Sequence, residues 1–368
     1  MLRNYFTIAL RNLSRHLSYS CINISGLALG LATCLLLTTW IKNELSYDRF
    51  HHNAQDIYRV SLEYSFGRQV TKPSVSPNAL LPALLSLPEA RNGVRIYNPS
   101  KQTPVIVRNG GKIFEEDKFY FADSTFFDVF SFELMDGNPE KALAEPYSIV
   151  LTQSMARKYF GDEDPLGKAV LINSNRDYKV TGLMKDPPPN SILQFDCIAS
   201  FNSIAAGRDE PTWWSANYQT FVLVHRDANL QSLIGKTNAI GKQAVAGEIT
   251  GENDYVRYNF LPLTDIYLRS PFDESGIVSD IKYVYIFSGV AFLILCIACI
   301  NYINLATARA SGRAREVGIR KVSGAVRNQL FVQFIGESFL ITSVSFLLSL
   351  LLAAALLPAI IGNPVHAQ

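Results

Sequence analysis

Charged side chains are missing from three long stretches of this 368-residue chain: none lies between His16 and Lys42, within residues 283–308, or within 338–361. Each stretch meets the roughly 20 apolar residues that a helix needs to cross about 30 Å of hydrocarbon. A buried core helix of that length would keep a polar stripe, which these runs lack. A cleaved signal peptide competes for the first run, because Arg3, Arg11 and Arg15 precede it. Against that reading, the run is too long for a typical signal core, and no A-x-A site follows Trp40 before Lys42. Cysteine is scarce as well. Cys21, Cys34, Cys296 and Cys299 all fall inside the apolar runs, which leaves Cys197 with no disulfide partner elsewhere in the chain. The Cys296-x-x-Cys299 spacing inside a membrane helix reads as two small residues, not as a redox or metal pair.

Motifs for chemistry are also absent. The stretch from Gly161 to Lys168 has five residues between its glycines where a phosphate-binding P-loop has four, and Ala169 stands where Mg²⁺ would need Ser or Thr. Asp162, Glu163 and Asp164 would repel a phosphate, so the stretch reads as a turn after a helix. Any ATP-driven work must then use another polypeptide, and this chain is expected to bind no cofactor. His51 and His52 with Asp48 and Asp56 lack a metal-ligand spacing and read as solvated or capping residues. No serine carries a nucleophile signature, and Trp213-Trp214 reads as an ordinary core anchor. The expectation is a protein that is not an enzyme, with neither catalytic nor metal site, and with no tie to nucleic acid.

Charge orients the chain. Residues 1–41 carry three arginines and no acid, and residues 283–368 carry Arg309, Arg313, Arg315, Arg320, Lys321 and Arg327 against Glu316 and Glu337. Residues 42–282 keep 25 basic and 30 acidic side chains, so the net charge of +2 conceals an acidic middle between basic ends. Basic segments beside membrane spans stay in the cytoplasm. The predicted fold class is therefore a membrane protein with three α-helical transmembrane spans and a large α+β extracytoplasmic domain inserted between spans 1 and 2. Its expected segments are an amphipathic interfacial helix (1–18), span 1 (19–41), the outer domain (42–282), span 2 (283–308), a cytoplasmic segment (309–337), span 3 (338–361) and a short tail (362–368).

Local patterns fill in this frame. Leu2, Phe6, Ala9, Leu10, Leu13 and Leu17 share one helical face opposite Arg11 and Arg15, as suits the inner membrane surface. Gly26 and Gly30 form a G-x-x-x-G in span 1, so another helix can approach closely there. In the outer domain 177–183 and 220–224 read as strands, and 154–160 as a short helix ended by Gly161. Turns are expected at Asn109-Gly110-Gly111, Asp136-Gly137-Asn138-Pro139 and Pro187-Pro188-Pro189-Asn190.

The stretch 309–333 concentrates six basic residues with a single acid, Glu316, and is interrupted by glycines at 312, 318 and 324. Composition fits two readings equally: a loop gripping lipid headgroups, or a short docking helix set between two spans. Around it, Arg313, Glu316, Val317, Gly318, Ile319, Arg320, Lys321, Gly324 and Ala325 match the pattern R-x-x-E-[IV]-G-I-R-K-x-x-G-A. By this pattern the chain resembles the MacB/FtsX-like ABC transporter permeases. Further blocks resemble the same family in order and spacing: residues 47–51 and 57–60, 156–167, Asn190-Ser191 with 194–196, and 262–266.

The resemblance implies a permease subunit, or the N-terminal part of one, in a bacterial inner membrane. It implies pairing with a cytoplasmic ABC ATPase that uses ATP, with a second permease half or a homodimer partner, and with a membrane-fusion protein or other periplasmic partner. ATP hydrolysis would move the outer domain to export or extract a substrate. Arg313, Arg315, Glu316, Gly318, Arg320, Lys321 and Gly324 fall in the segment that would meet the ATPase. Family members carry a fourth span, so the resemblance also implies that this chain is truncated after its third. A regulator that activates an extracytoplasmic cell-wall hydrolase shares the architecture. A sensory receptor fits less well, because here the chain re-enters the membrane after residues 309–337 instead of running into a soluble output domain.

Overall fold

The computed structural model describes residues 17–101, 103–204, 211–248, 251, 253–274, 276–312, 317–319, 322 and 327–361. The expected interfacial helix at 1–18 lies almost wholly outside the described residues. Two compact units emerge: Met1–Leu45 with Ile281–Gln368, and Ser46–Asp280.

The first unit contains α1 (Leu17–Glu44), while α2 (Leu80–Leu85), α3 (Phe126–Val129), α4 (Gln153–Phe160), α5 (Leu230–Ala244) and α6 (Leu263–Arg269) belong to the second. The first unit is completed by α7 (Ile281–Gly312) and α8 (Arg327–Ile361). Its helices include three stretches long and apolar enough to cross a membrane, Ser20–Glu44, Ile281–Ala308 and Phe334–Pro358, with mean hydropathies of 1.9, 2.5 and 2.5. The protein is thus a membrane protein with an α/β domain between its first and second spans. α7 continues past its apolar stretch to Gly312, and α8 starts before its own at Arg327. Several hydroxyls inside the apolar helices are satisfied within them. Thr33, Thr38 and Thr39 donate to the carbonyls of Leu29, Cys34 and Leu35 at 2.9, 2.7 and 2.8 Å, and buried Ser345 donates to Ile341 O at 2.9 Å. Hydrocarbon offers them no other acceptor.

The second unit is built on a mixed sheet. Its strands are β1 (Ile57–Phe66), β2 (Gln69–Thr71), β3 (Ser76–Pro77), β4 (Ala90–Tyr97), β5 (Val105–Asn109), β6 (Lys112–Glu116) and β7 (Phe119–Ala122). They continue as β8 (Leu134–Gly137), β9 (Ser148–Thr152), β10 (Ala169–Ile172), β11 (Arg176–Met184), β12 (Cys197–Ser200), β13 (Ala216–Val224) and β14 (Tyr255–Pro262). The main path runs β14-β1-β13-β4-β7-β12-β9-β11-β10-β5-β6. β7 with β12 and β9 with β11 pair in parallel, and the other pairs along the path are antiparallel.

Sequence chemistry accounts for these elements. The expected strands 177–183 and 220–224 lie within β11 and β13. β11 alternates buried positions with exposed or half-buried ones from Tyr178 onward, as a half-covered strand must. α4 starts where the Thr152 side chain accepts the Met155 N–H at 3.3 Å, and it ends at Gly161, whose φ of 67° is the left-handed stop glycine tolerates best. Gly137 is required for a different reason, since a Cβ there would sit 2.6 Å from Thr181 O.

The path has a narrow waist. β4 and β7 share only the pairs Ile96↔Ala122 and Tyr97↔Phe121. Arg95 reinforces it, its Nε and Nη2 reaching Asp123 at 2.9 and 2.8 Å while its guanidinium lies 4.4 Å from the Phe201 ring centre. A buried cluster with Phe126, Phe130, Phe132, Phe195 and Phe221 spans the waist, and separate clusters fill each side of it.

Candidate functional site

Of the residues expected to meet an ATPase, Arg313, Arg315, Glu316, Arg320, Lys321 and Gly324 lie outside the described residues. Gly318 sits in a helical turn, Val317–Ile319, and nothing approaches the place of its Cβ within 4 Å. Ile319 and Val322 beside it are 61% and 91% exposed.

Gly26 and Gly30 line a helix seam. α1 packs on both α7 and α8, and a Cβ on Gly30 would come within 2.7 Å of Ala298 Cβ, while one on Gly26 would meet Asn301 Nδ2 at 3.3 Å. Farther along the same face Cys34 Sγ donates to Ala291 O at 3.3 Å, and Trp40 meets Phe287 edge-on at 4.9 Å. Rising numbers on α1 meet falling numbers on α7, so the two run antiparallel. Ala28 and Ala32, about 200° round the helix from the glycines, are also buried, at 2% and 4% exposure. Small residues thus let α1 sit close to both of its neighbours, where van der Waals contact drives association in lipid.

The second unit holds the chain firmly just after span 1. Ser46 accepts from Asn190 Nδ2 at 2.9 Å on its hydroxyl and at 3.2 Å on its carbonyl. Asp48 is fully buried, at φ 55°. Its carboxylate accepts the Ser191 hydroxyl at 2.7 Å and the Ile192 N–H at 3.2 Å, and its own N–H donates to Asn190 O at 2.9 Å. One turn on, buried His51 accepts the Ser131 N–H on Nδ1 at 2.9 Å, inside a cage of Phe50, Phe130 and Phe132. That bond places the proton of a neutral imidazole on Nε2, which faces Asp48 Oδ1 at 4.0 Å.

Burial dominates both titrations. It pushes the Asp48 carboxyl up to about 7 despite the hydrogen bonds from Ser191 and Ile192. It holds His51 down to about 3, with the neighbouring His52 adding to the effect. Both groups therefore favour their uncharged forms. The expectation that Asp48 and His51 are solvated or capping is corrected as to solvation, because a loop far along the chain, 188–192, closes over Asp48, and Ser131 with Phe50, Phe130 and Phe132 encloses His51. Asp56 instead pairs at the surface with Arg226 at 2.9 Å. Among the described residues no group of His, Cys, Asp and Glu could hold a metal ion.

The other end of the unit, just before span 2, is held by a true ion pair. Arg59, on β1 and 1% exposed, donates from Nη1 to Glu274 Oε2 at 2.8 Å and from Nη2 to Oε1. Its Nε donates to Ser61 Oγ at 3.1 Å and its Nη2 also reaches Ser270 Oγ at 3.3 Å. The Ser270 hydroxyl donates in turn to Glu274 Oε1, and the Phe272 ring centre lies 5.9 Å from the guanidinium. Asp273 N–H donates to Lys72 O at 2.9 Å, and Ser279 N–H to Tyr267 O at 2.7 Å. Tyr267 stacks on Tyr47 with centroids 3.4 Å apart. The two ends of the unit are thus tied to each other, and the second is tied to β1.

Trp213 meets Tyr258 edge-on at 6.1 Å as a core anchor, while Trp214 is 54% exposed. The blocks singled out at 47–51, 57–60, 190–191 and 262–266 supply Tyr47, Asp48, His51, Arg59, Asn190 and Ser191, and they place α6. Glu274 and Ser270 went unmarked, and no local pattern around them signals a buried partner.

Residues 20–240 match the family model of the MacB-like periplasmic core domain, and residues 288–367 match that of the FtsX-like permease C-terminal region. The macrolide export ATP-binding/permease protein MacB of Aggregatibacter actinomycetemcomitans is 23% identical over 269 residues, covering 71% of this chain and 38% of that protein. The ABC transporter permease YvrN of Bacillus subtilis (strain 168) is 22% identical over 362 residues, covering 94% of this chain and 85% of that one. Among solved structures, the periplasmic region of MacB from Actinobacillus actinomycetemcomitans is similar with a TM-score of 0.40 at 16% identity, covering 55% of this chain and 88% of that region.

Proposed function

The chain belongs to the MacB/FtsX-like ABC transporter permeases, and on that premise we propose that it works with a separate cytoplasmic ATPase whose ATP hydrolysis moves the outer unit. In this reading residues 42–282 lie outside a bacterial inner membrane, the N-terminus and 309–337 lie inside, and a second copy or a second permease half completes the membrane assembly. The chain itself binds no nucleotide, and the partner consumes the ATP. Three features support the reading. The segment between α7 and α8 sets exposed Ile319 and Val322 among basic residues, a mixture suited to an acidic, partly apolar partner surface. Both helices run beyond their apolar stretches toward that segment, so a push there acts on continuous rods. The outer unit is clamped at both chain ends into its own core, so a displacement delivered at either end reaches the sheet.

The observation that carries the reading is the cytoplasmic segment, and its test is direct. The double reversal Arg320→Glu/Lys321→Glu in the full chain is expected to abolish co-purification with the cognate ATPase while the outer unit stays protease-resistant. Undiminished co-purification would sink the proposal.

A further inference from the structure

On the far side of the waist from Arg59, the outer unit encloses a cleft of about 400 Å³, within the roughly 300–1,000 Å³ typical of small-molecule sites. Its walls are aromatic. Tyr97 stacks on Phe121 at 6.4 Å, and Tyr147 meets Tyr178 edge-on at 5.5 Å. Its rim is the turn between β10 and β11, which presents the exposed side chains of Asn175 and Arg176.

Two further observations distinguish this cleft from an ordinary surface groove. Tyr147 has a φ of 60°, a left-handed conformation that is costly for a bulky side chain and that clusters at functional sites. Its backbone is locked there on both sides: its N–H donates to buried Ser203 Oγ at 2.9 Å, and its carbonyl accepts the Lys179 N–H at 2.8 Å. Among the described residues, the lining carries a single charge, Arg176, and no carboxylate. The Arg176 guanidinium lies 5.6 Å from the Tyr147 ring centre and makes no ion pair with any described residue. Among the described residues the hydroxyls of Tyr97 and Tyr147 and the side-chain amide of Asn175 likewise have no hydrogen-bond partner. A rigid aromatic box with one unpaired guanidinium and several free polar groups at its mouth has the composition of a ligand site.

We propose that this cleft binds a small aromatic carboxylate, with its ring against the tyrosine walls and its carboxylate on Arg176. Aromatic faces attract flat apolar groups and also cations, but a guanidinium at the mouth repels cations and can grip a carboxylate with two parallel N–H donors. The inference is independent of the ATPase reading, because it concerns only the folded outer unit.

The test is photolabelling of the full chain in lipid nanodiscs with 4-azidobenzoate, mapped by peptide mass spectrometry. The expected label falls on peptides containing Tyr97, Tyr147 or Tyr178, and is competed by benzoate but not by benzylamine. Arg176→Ala, at an exposed position that leaves the core intact, should lower that labelling about tenfold or more, as loss of a charge-assisted hydrogen bond does. Arg176→Lys should retain part of it. Label confined to the apolar helices, label unchanged in Arg176→Ala, or equal competition by benzylamine would each overturn the proposal.

Discussion

The outer unit is held at its two chain ends by buried pairs of opposite character. Before span 2, Arg59 and Glu274 form an ion pair. The guanidinium is planar, its donors are shared among Glu274, Ser61 and Ser270, and the geometry is bidentate, so attraction offsets the cost of desolvating both ions. After span 1, Asp48 and His51 face each other at 4.0 Å, too far for a hydrogen bond, and burial drives each toward its neutral form. Proximity of an acid and a base in a protein core therefore does not make an ion pair. The number and aim of the hydrogen bonds decide whether the charges survive.

The largest effect should come from breaking the charged pair. Arg59→Ala or Glu274→Ala leaves an ion buried and unpaired, and should lower the stability of the outer unit by about 3–5 kcal/mol in denaturant unfolding. The double replacement Arg59→Met/Glu274→Leu should recover most of that loss, because no charge is then stranded.

The neutral pair should show itself through pH. Unfolded, Asp48 titrates near 3.8 and His51 near 6.5; folded, the values move to about 7 and about 3. Between about pH 4 and 6.5 the fold keeps the Asp48 proton and gives up the His51 proton, so the two linkages cancel and this pair adds no pH dependence. Asp48→Asn leaves only the depressed His51, and stability should then rise with pH up to about 6.5, by about 1.4 kcal/mol per unit. His51→Gln leaves only the raised Asp48, and stability should fall as pH rises from about 4 to about 7 with a similar slope. Opposite slopes in unfolding titrations of the two variants are the signature; flat profiles in both would mean that burial does not set the two groups' titration.

A smaller contrast runs along the α1–α7 seam. Gly30→Leu drives a side chain into Ala298 and should cost about 1–3 kcal/mol, seen as a lower melting temperature of the membrane unit in detergent. Gly26→Ala meets only the movable end of Asn301, so a change within about 0.5 kcal/mol is expected.

Sequence reading found what depends on local pattern. Run length revealed the three spans, and Gly161 marked the end of α4. Small-residue spacing marked Gly26 and Gly30. It missed what depends on chain closure over long distances. Glu274 lies 215 residues from Arg59, and Ser191 lies 143 residues from Asp48. A lone Asp or His shows its chemistry in the sequence but not its burial, so Asp48 and His51 read as solvated or capping. The family blocks marked both positions without supplying the reason, which is the 188–192 loop over Asp48 and the phenylalanine cage around His51.

Both chain ends of the outer unit are part of its core, which the proposed function needs if displacement of the spans is to reach the sheet. Hydrogen exchange of the full chain in nanodiscs tests this most directly. Amides in 46–52, 188–194 and 270–274 are predicted to open only with β1 and β13, at the same free energy. Rapid local exchange of either end while β1 and β13 stay protected would contradict it.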